Sequence, residues 1–209
     1  MPTVVSLPKS KRGADKDKLL TADEFLDWLE EDVYADLIDG KIVMHSPVNI
    51  RHARLLSFVE RLMAFYNDQQ KLGGIILVEG WAVRLSPRRV FLPDICFFTK
   101  EQTRELRDTF APFAPTLVVE AISPSSRKRD AVLKFAAYEE HGVREYWLLD
   151  PENHQHRFFK REGELLVEFA QNEAVIECQS IAGFHVERAW LDAPQDFSVS
   201  ECFRQLIGG

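Results

Sequence analysis

The sequence predicts a single α/β domain, a central mixed β-sheet flanked by two helices. Three observations carry that prediction. Two apolar runs, one opening at Asp94 and one spanning 116–122, read as strands, and each bears a carboxylate. Residues 47–70 place His52, Leu55, Leu56, Val59, Leu62, Met63 and Tyr66 at helical spacing on one face. A second helical stretch, 127–141, follows the second acidic strand directly. An ionised carboxylate inside an apolar strand is costly to desolvate unless it is paired or bound to a cation. Asp94 and Glu120 on strands that pair side by side therefore suggest a divalent-metal site.

The bulk numbers narrow the class. A chain of 209 residues with 45% hydrophobic and 28% charged residues suits one soluble domain with a sizeable core. No run is long enough to span a bilayer, and no apolar signal core opens the chain. Cys96, Cys178 and Cys202 are far apart and lack zinc spacing, which fits a reducing cytoplasm. A net charge of −7 argues against a protein that coats nucleic acid generally, but not against a nuclease whose phosphate contacts are local. Arg88-Arg89 and Arg127-Lys128-Arg129 are either such contacts or solvated loop charges.

Residues 1–20 are polar, without an apolar period, and read as a flexible arm before a domain over 21–209. Thr21 and Glu24 form a capping-box signature for a helix reaching about residue 31. Asp39-Gly40 between two apolar runs is a hairpin turn, with Asp36 in the strand before it. Pro47 suits the first turn of the long helix. His52, near the inward face, is either a core histidine or a contact beside a metal or phosphate. Strands follow at 75–79, 81–85 and 90–98, the last carrying Asp94. A charged excursion at 101–108 could form a short helix over the site. In the strand over 116–122, Glu120 shares its face with Val118 and Ile122, which does not suit a surface charge. The helix over 127–141, closed by Gly142, aligns Asp130, Lys134, Ala137 and Tyr138; Asp130 and Lys134 also have the spacing of a plain helix ion pair. Residues 145–150 are a strongly apolar strand. The runs 157–160, 165–169 and 175–178 read as a meander that continues the sheet or offers a dimer face, with His154 and His156 on an exposed turn too loose for a metal site.

Several of these stretches together resemble a known family. They are Asp36-Leu37-Ile38-Asp39-Gly40, Pro93-Asp94-Ile95, the run from Val118 to Ser126, Asp130-x-x-x-Lys134 with Tyr138, and Gly142 to Pro151. The chain is similar to the Uma family of putative restriction endonucleases, long described as a domain of unknown function. The resemblance covers roughly residues 21–184. It implies the restriction-endonuclease-like fold of the PD-(D/E)xK nuclease superfamily. In that superfamily an Asp, then a Glu or Asp, then a Lys two residues later make the site. Here the third position is Ile122, and the resemblance implies that the lysine has moved to Lys134 on the next helix.

So read, Asp94, Glu120 and Lys134 are the implied catalytic set. Asp94, Glu120 and the Ile122 backbone carbonyl would hold Mg²⁺ or Mn²⁺, ions that suit hard oxygen ligands. Asp36, His52, Asp130 and Tyr138 are supporting candidates, with Asp36 fixing the metal or holding a second one through water and Asp130 steering or neutralising Lys134. The implied activity is metal-dependent hydrolysis of DNA in the cytoplasm, with a homodimer offering two sites for two strands by nuclease analogy. A catalytically silent module of the same fold that binds nucleic acid or protein, and an enzyme on another phosphorylated substrate, are the alternatives.

Overall fold

The computed structural model describes residues 19–30, 33–78, 80–122 and 129–208, with the backbone alone at 129–131. In chain order the elements are α1 (Ala22–Trp28), β1 (Ala35–Ile38), β2 (Lys41–Met44), α2 (Ile50–Gln69), β3 (Ile75–Val78), β4 (Ala82–Ser86), β5 (Arg89–Phe91), β6 (Ile95–Phe98), α3 (Lys100–Thr103), β7 (Phe110–Ala111) and β8 (Leu117–Ala121). A π-helical turn (Arg129–Lys134) leads into α4 (Phe135–Glu140), followed by β9 (Glu145–Leu149), β10 (Arg157–Glu162), β11 (Leu165–Phe169), β12 (Val175–Glu177) and β13 (His185–Glu187). Helix α5 (Arg188–Asp192), a 3₁₀ turn (Pro194–Asp196) and α6 (Val199–Gly208) follow.

The central sheet has the order β11-β10-β9-β8-β6-β3; β8 and β9 run parallel and the other neighbours antiparallel, so it is mixed as expected. Both faces of its middle are covered, which explains the unbroken apolar runs of β8 and β9. Val119, Ala121, Trp147 and Leu149 enter the core beneath α2 and α6. Val118, Ile122, Tyr146 and Leu148 enter the one beneath α4, with Ala137 and Tyr138. A second sheet, β2-β1-β5-β4-β7, packs with α1 around Phe25, Leu37 and Val90.

Local signals explain most boundaries. Thr21 and Glu24 close both halves of a capping box on α1. Asp39 and Gly40 take φ of 50° and 84°, the left-handed pair a two-residue hairpin needs. Four expectations need correction. Helix α2 begins at Ile50, not near Pro47, because Asn49 caps it by accepting the Arg51 and His52 amides. The strand expected over 90–98 is two strands in different sheets, broken at Leu92-Pro93-Asp94, where proline has no amide to give to a ladder. Helix α3 follows the far end of β6 from Asp94, so it does not cover the site. β12 leaves the meander to pair with β13, while β9, β10 and β11 extend the central sheet. Most of the expected N-terminal arm lies outside the described residues; Leu20 donates its amide to Gly40.

Candidate active site

The break at Leu92-Pro93-Asp94 builds the site, because there the chain crosses from one sheet to the other. On the first sheet the freed Leu92 amide donates to Asp36 Oδ1 at 2.9 Å. On the second, Ile95 pairs with Val119, so one step back Asp94 lies beside Glu120. Ala121 N donates to Asp94 Oδ2 at 2.7 Å, fixing that carboxylate across the two strands. His52, in the first turn of α2, brings Nε2 to 3.7 Å from the same oxygen.

Lys134 enters from the other side. It ends the π-helical turn, and its buried ammonium lies 2.8 Å from Glu120 Oε1 and 3.4 Å from Asp36 Oδ2. Single π turns inside helices recur at functional sites. Lys134 therefore faces the acids on the strands. The Asp130 side chain lies outside the described residues. One turn on, the Tyr138 hydroxyl donates to Glu120 Oε1 at 2.8 Å. Phe91 closes the space, with Lys134 Nζ 5.7 Å from its ring centre and Tyr138 packed edge-on. Ile122, at the position where the superfamily pattern has lysine, packs in the apolar cluster with Tyr138 and donates its amide to Leu149 O.

The electrostatics follow from this burial. Burial alone would push the Asp36 carboxyl up, but the Lys134 ammonium, His45 and the Leu92 amide outweigh it and hold the pKa down to about 2. Burial, then the Glu120 charge, pushes the Tyr138 phenol well above its usual value, so it is a donor at any physiological pH. Cys96 behind Glu120 is pushed up by the same two causes and stays a thiol.

His45 is the site residue that sequence reasoning missed. It lies just past β2, and its Nε2 is 3.0 Å from Asp36 Oδ2. No local pattern marks it; only the hairpin register, Ala35 opposite Met44, brings it near Asp36. Arg89 proves structural, bridging Asp39 on the hairpin turn (2.7 Å) and Glu140 on α4 (2.6 Å). It thus ties the element carrying Asp36 to the helix that follows Lys134. Residues 127–128 and the Arg129 side chain are outside the described residues.

A separate cluster answers the expectation about His154 and His156. Only His154 is exposed; the His156 side chain is fully buried, because Asp192 of α5 folds over it. His154 Nδ1 and His156 Nε2 lie 3.4 and 3.2 Å from Asp192 Oδ1, a donor set that could hold a metal ion. However, His156 Nδ1 accepts the Asp150 amide at 3.1 Å, so the neutral ring carries its proton on Nε2, the nitrogen a metal would need. Burial lowers the His156 pKa to about 4 against the pull of Asp192. The cluster is a strut joining the β9–β10 turn to α5.

The sequence profile of a family described as Uma2, putative restriction endonuclease, matches residues 22–192. The chain belongs to the Uma2 family. Among solved structures it is similar to a putative nuclease belonging to DUF820 from Anabaena variabilis ATCC 29413, with a TM-score of 0.70 and 20% identity over 83% of this chain and 98% of that one. That likeness carries the fold. No curated protein matches the chain. Uma2 membership supports a nuclease-like function on the fold described above. Among the described residues no helix is long and apolar enough to cross a membrane.

Proposed function

We propose that this Uma2 protein hydrolyses phosphodiester bonds of DNA with a divalent cation, Mg²⁺ or Mn²⁺, held by Asp94, Glu120 and the Ile122 backbone carbonyl. The observation that carries the reading is the buried Lys134 ammonium on Glu120, beside Asp94, which immediately precedes the adjacent strand. The donor set fits such an ion: it is all oxygen, and the Asp94 side chain, 16% exposed, is the most open of the three carboxylates. Asp36, Asp94, Glu120 and Lys134 together carry three negative charges and one positive, a balance that favours a cation.

When bound, such an ion polarises the phosphate and acidifies water at the site. The protein's own groups do the rest. Lys134 directs its ammonium at the attacking water or the charge growing on the phosphate. Tyr138 fixes Glu120 by its hydroxyl, and Asp36 holds Lys134 from behind. His52 orients Asp94 or meets a phosphate oxygen. Asp130 would steer Lys134 along the helix. The three buried free thiols suit a reducing cytoplasm. A homodimer would present two sites to two strands.

A silent binding module remains the second reading, because Lys134 and Tyr138 already satisfy one Glu120 oxygen without an ion. Plasmid and single-strand cleavage with Mg²⁺ and Mn²⁺, comparing wild type with Glu120→Gln, separates them. The variant should lose at least about a hundredfold in rate, roughly 3 kcal/mol of transition-state stabilisation. Equal cutting by both would overturn the assignment. No cutting by wild type, with no metal binding by calorimetry, would establish the silent module.

A further inference from the structure

Asp36 Oδ2 faces two donors at once. His45 Nε2 lies 3.0 Å from it and Lys134 Nζ 3.4 Å, while Lys134 approaches Glu120 Oε1 more closely, at 2.8 Å. Asp36 is fully buried, so its pull on any nearby cation is weakly screened. A carboxylate oxygen already engaged by a close donor attracts a second donor less strongly. The distances rank accordingly, with the imidazole nearer to Asp36 and the ammonium nearer to Glu120.

We propose that His45 is a positioning residue of this site, holding Asp36 so that the Lys134 ammonium stays on the Glu120 side. The role rests on the nuclease reading only for its consequence in catalysis; the placement of Lys134 stands apart from it. The backbone supports the role. The His45 amide donates to Tyr34 O at 2.9 Å, which continues the β1–β2 hairpin by one step and anchors the imidazole beside Asp36. The ring is mostly buried, with its side chain 22% exposed. The ring turns Nε2, its donor nitrogen, towards Asp36 Oδ2 at 3.0 Å. Without that donor, Asp36 Oδ2 becomes the stronger acceptor and draws the ammonium away from Glu120.

The test uses two full-length variants. His45→Phe keeps the ring and removes the donor; His45→Gln places an amide donor near the position of Nε2. With lysine labelled at Cε, the Lys134 resonance should shift in His45→Phe and stay near its wild-type position in His45→Gln. That readout needs no catalysis. If wild type cuts DNA, His45→Phe should lose about tenfold in kcat with KM changed less than about twofold, and His45→Gln should recover most of the loss. An unmoved Lys134 resonance in a folded His45→Phe would overturn the inference, as would a His45→Gln as impaired as His45→Phe. If His45→Phe fails to fold, a His45→Gln with displaced Lys134 resonance would overturn it, and one with an unmoved resonance would support it. An inactive wild type would count against the nuclease reading alone, and the resonances would still decide this one.

Discussion

Replacing Lys134 by Met keeps the apolar stem and removes only the ammonium, so it isolates the charge on which the site is balanced. Lys134 is 1% exposed, and the carboxylates it faces, Glu120 and Asp36, are 3% and 0% exposed. Removing one partner from a buried ion pair costs about 3–5 kcal/mol. The cost is limited, because a carboxyl with an ordinary pKa near 3.8 can instead be protonated, for about 4 kcal/mol at pH 7. This fixes the pH dependence. In the wild type, Asp36 has a folded pKa of about 2, below its unfolded 3.8; its charge contributes about 2 kcal/mol of stability above pH 3.8, which is lost as the pH falls toward 2. In Lys134→Met the burial remains while the strongest opposing charge is gone, and the folded pKa is expected to rise past the unfolded one even with His45 and the Leu92 amide in place. Asp36 then opposes folding above pH 3.8 and ceases to as it protonates. Urea unfolding followed by tryptophan fluorescence should show a loss of about 3–5 kcal/mol at pH 7.5, smaller by about 2 kcal/mol at pH 4.5. Adding Asp36→Asn should restore about 1–2 kcal/mol of the loss at pH 7.5, since it removes the stranded charge. Equal penalties at both pH values, or a loss below about 1 kcal/mol at pH 7.5, would refute the charge balance described above.

Other variants probe the parts that hold the site in place. Tyr138→Phe keeps the edge-on packing with Phe91 and removes the hydroxyl on Glu120, and should cost about 1–3 kcal/mol in the same unfolding assay. Asn49→Ala removes the cap of α2 and should cost about 1 kcal/mol, with a lower melting temperature as the check. His156 has a folded pKa of about 4 against an ordinary 6.5, so it opposes folding as the pH falls through that window. Wild type should lose up to about 3 kcal/mol between pH 6.5 and 4, and His156→Phe should flatten that stretch of the curve. Because its Nε2 carries the proton, micromolar zinc should leave the wild-type melting temperature unchanged; a rise of several degrees that His156→Phe abolishes would make the cluster a metal site.

The sequence made the parts of the site legible wherever chemistry and pattern agreed. Asp94 and Glu120 stood out because a bare charge in an apolar strand needs a partner, and the strand register then puts them side by side. The capping box at Thr21 and the turn at Asp39-Gly40 were readable because each depends on neighbours in sequence. What escaped depends on crossings between elements. The apolar run over 90–98 looks continuous, yet Pro93 divides it between two sheets, and only that division lets the Leu92 amide reach Asp36. His45 shows no local signal, and the burial of His156 depends on Asp192, thirty-six positions later in the chain.

On the proposed assignment of Lys134 as the catalytic lysine, residue spacing is a weaker guide than the point in space a side chain must reach. Ile122, two residues after Glu120, points to the same face of the strand, and there it packs against the cluster holding Tyr138 and Ala137. A lysine at that position would bury its stem among those rings while competing with Tyr138 for the same carboxylate. Lys134 reaches Glu120 from the helix instead, on the side where Asp36 supplies a second counter-charge. This approach brings Lys134 against Asp36 on the hairpin, its Leu92 amide and, behind it, His45. Arg89 links the hairpin to α4 through Asp39 and Glu140. With Lys134 between Asp36 and Glu120, the geometry at Glu120 depends on contacts spread over both sheets, so that a change in the first sheet should be felt at the carboxylate on the second.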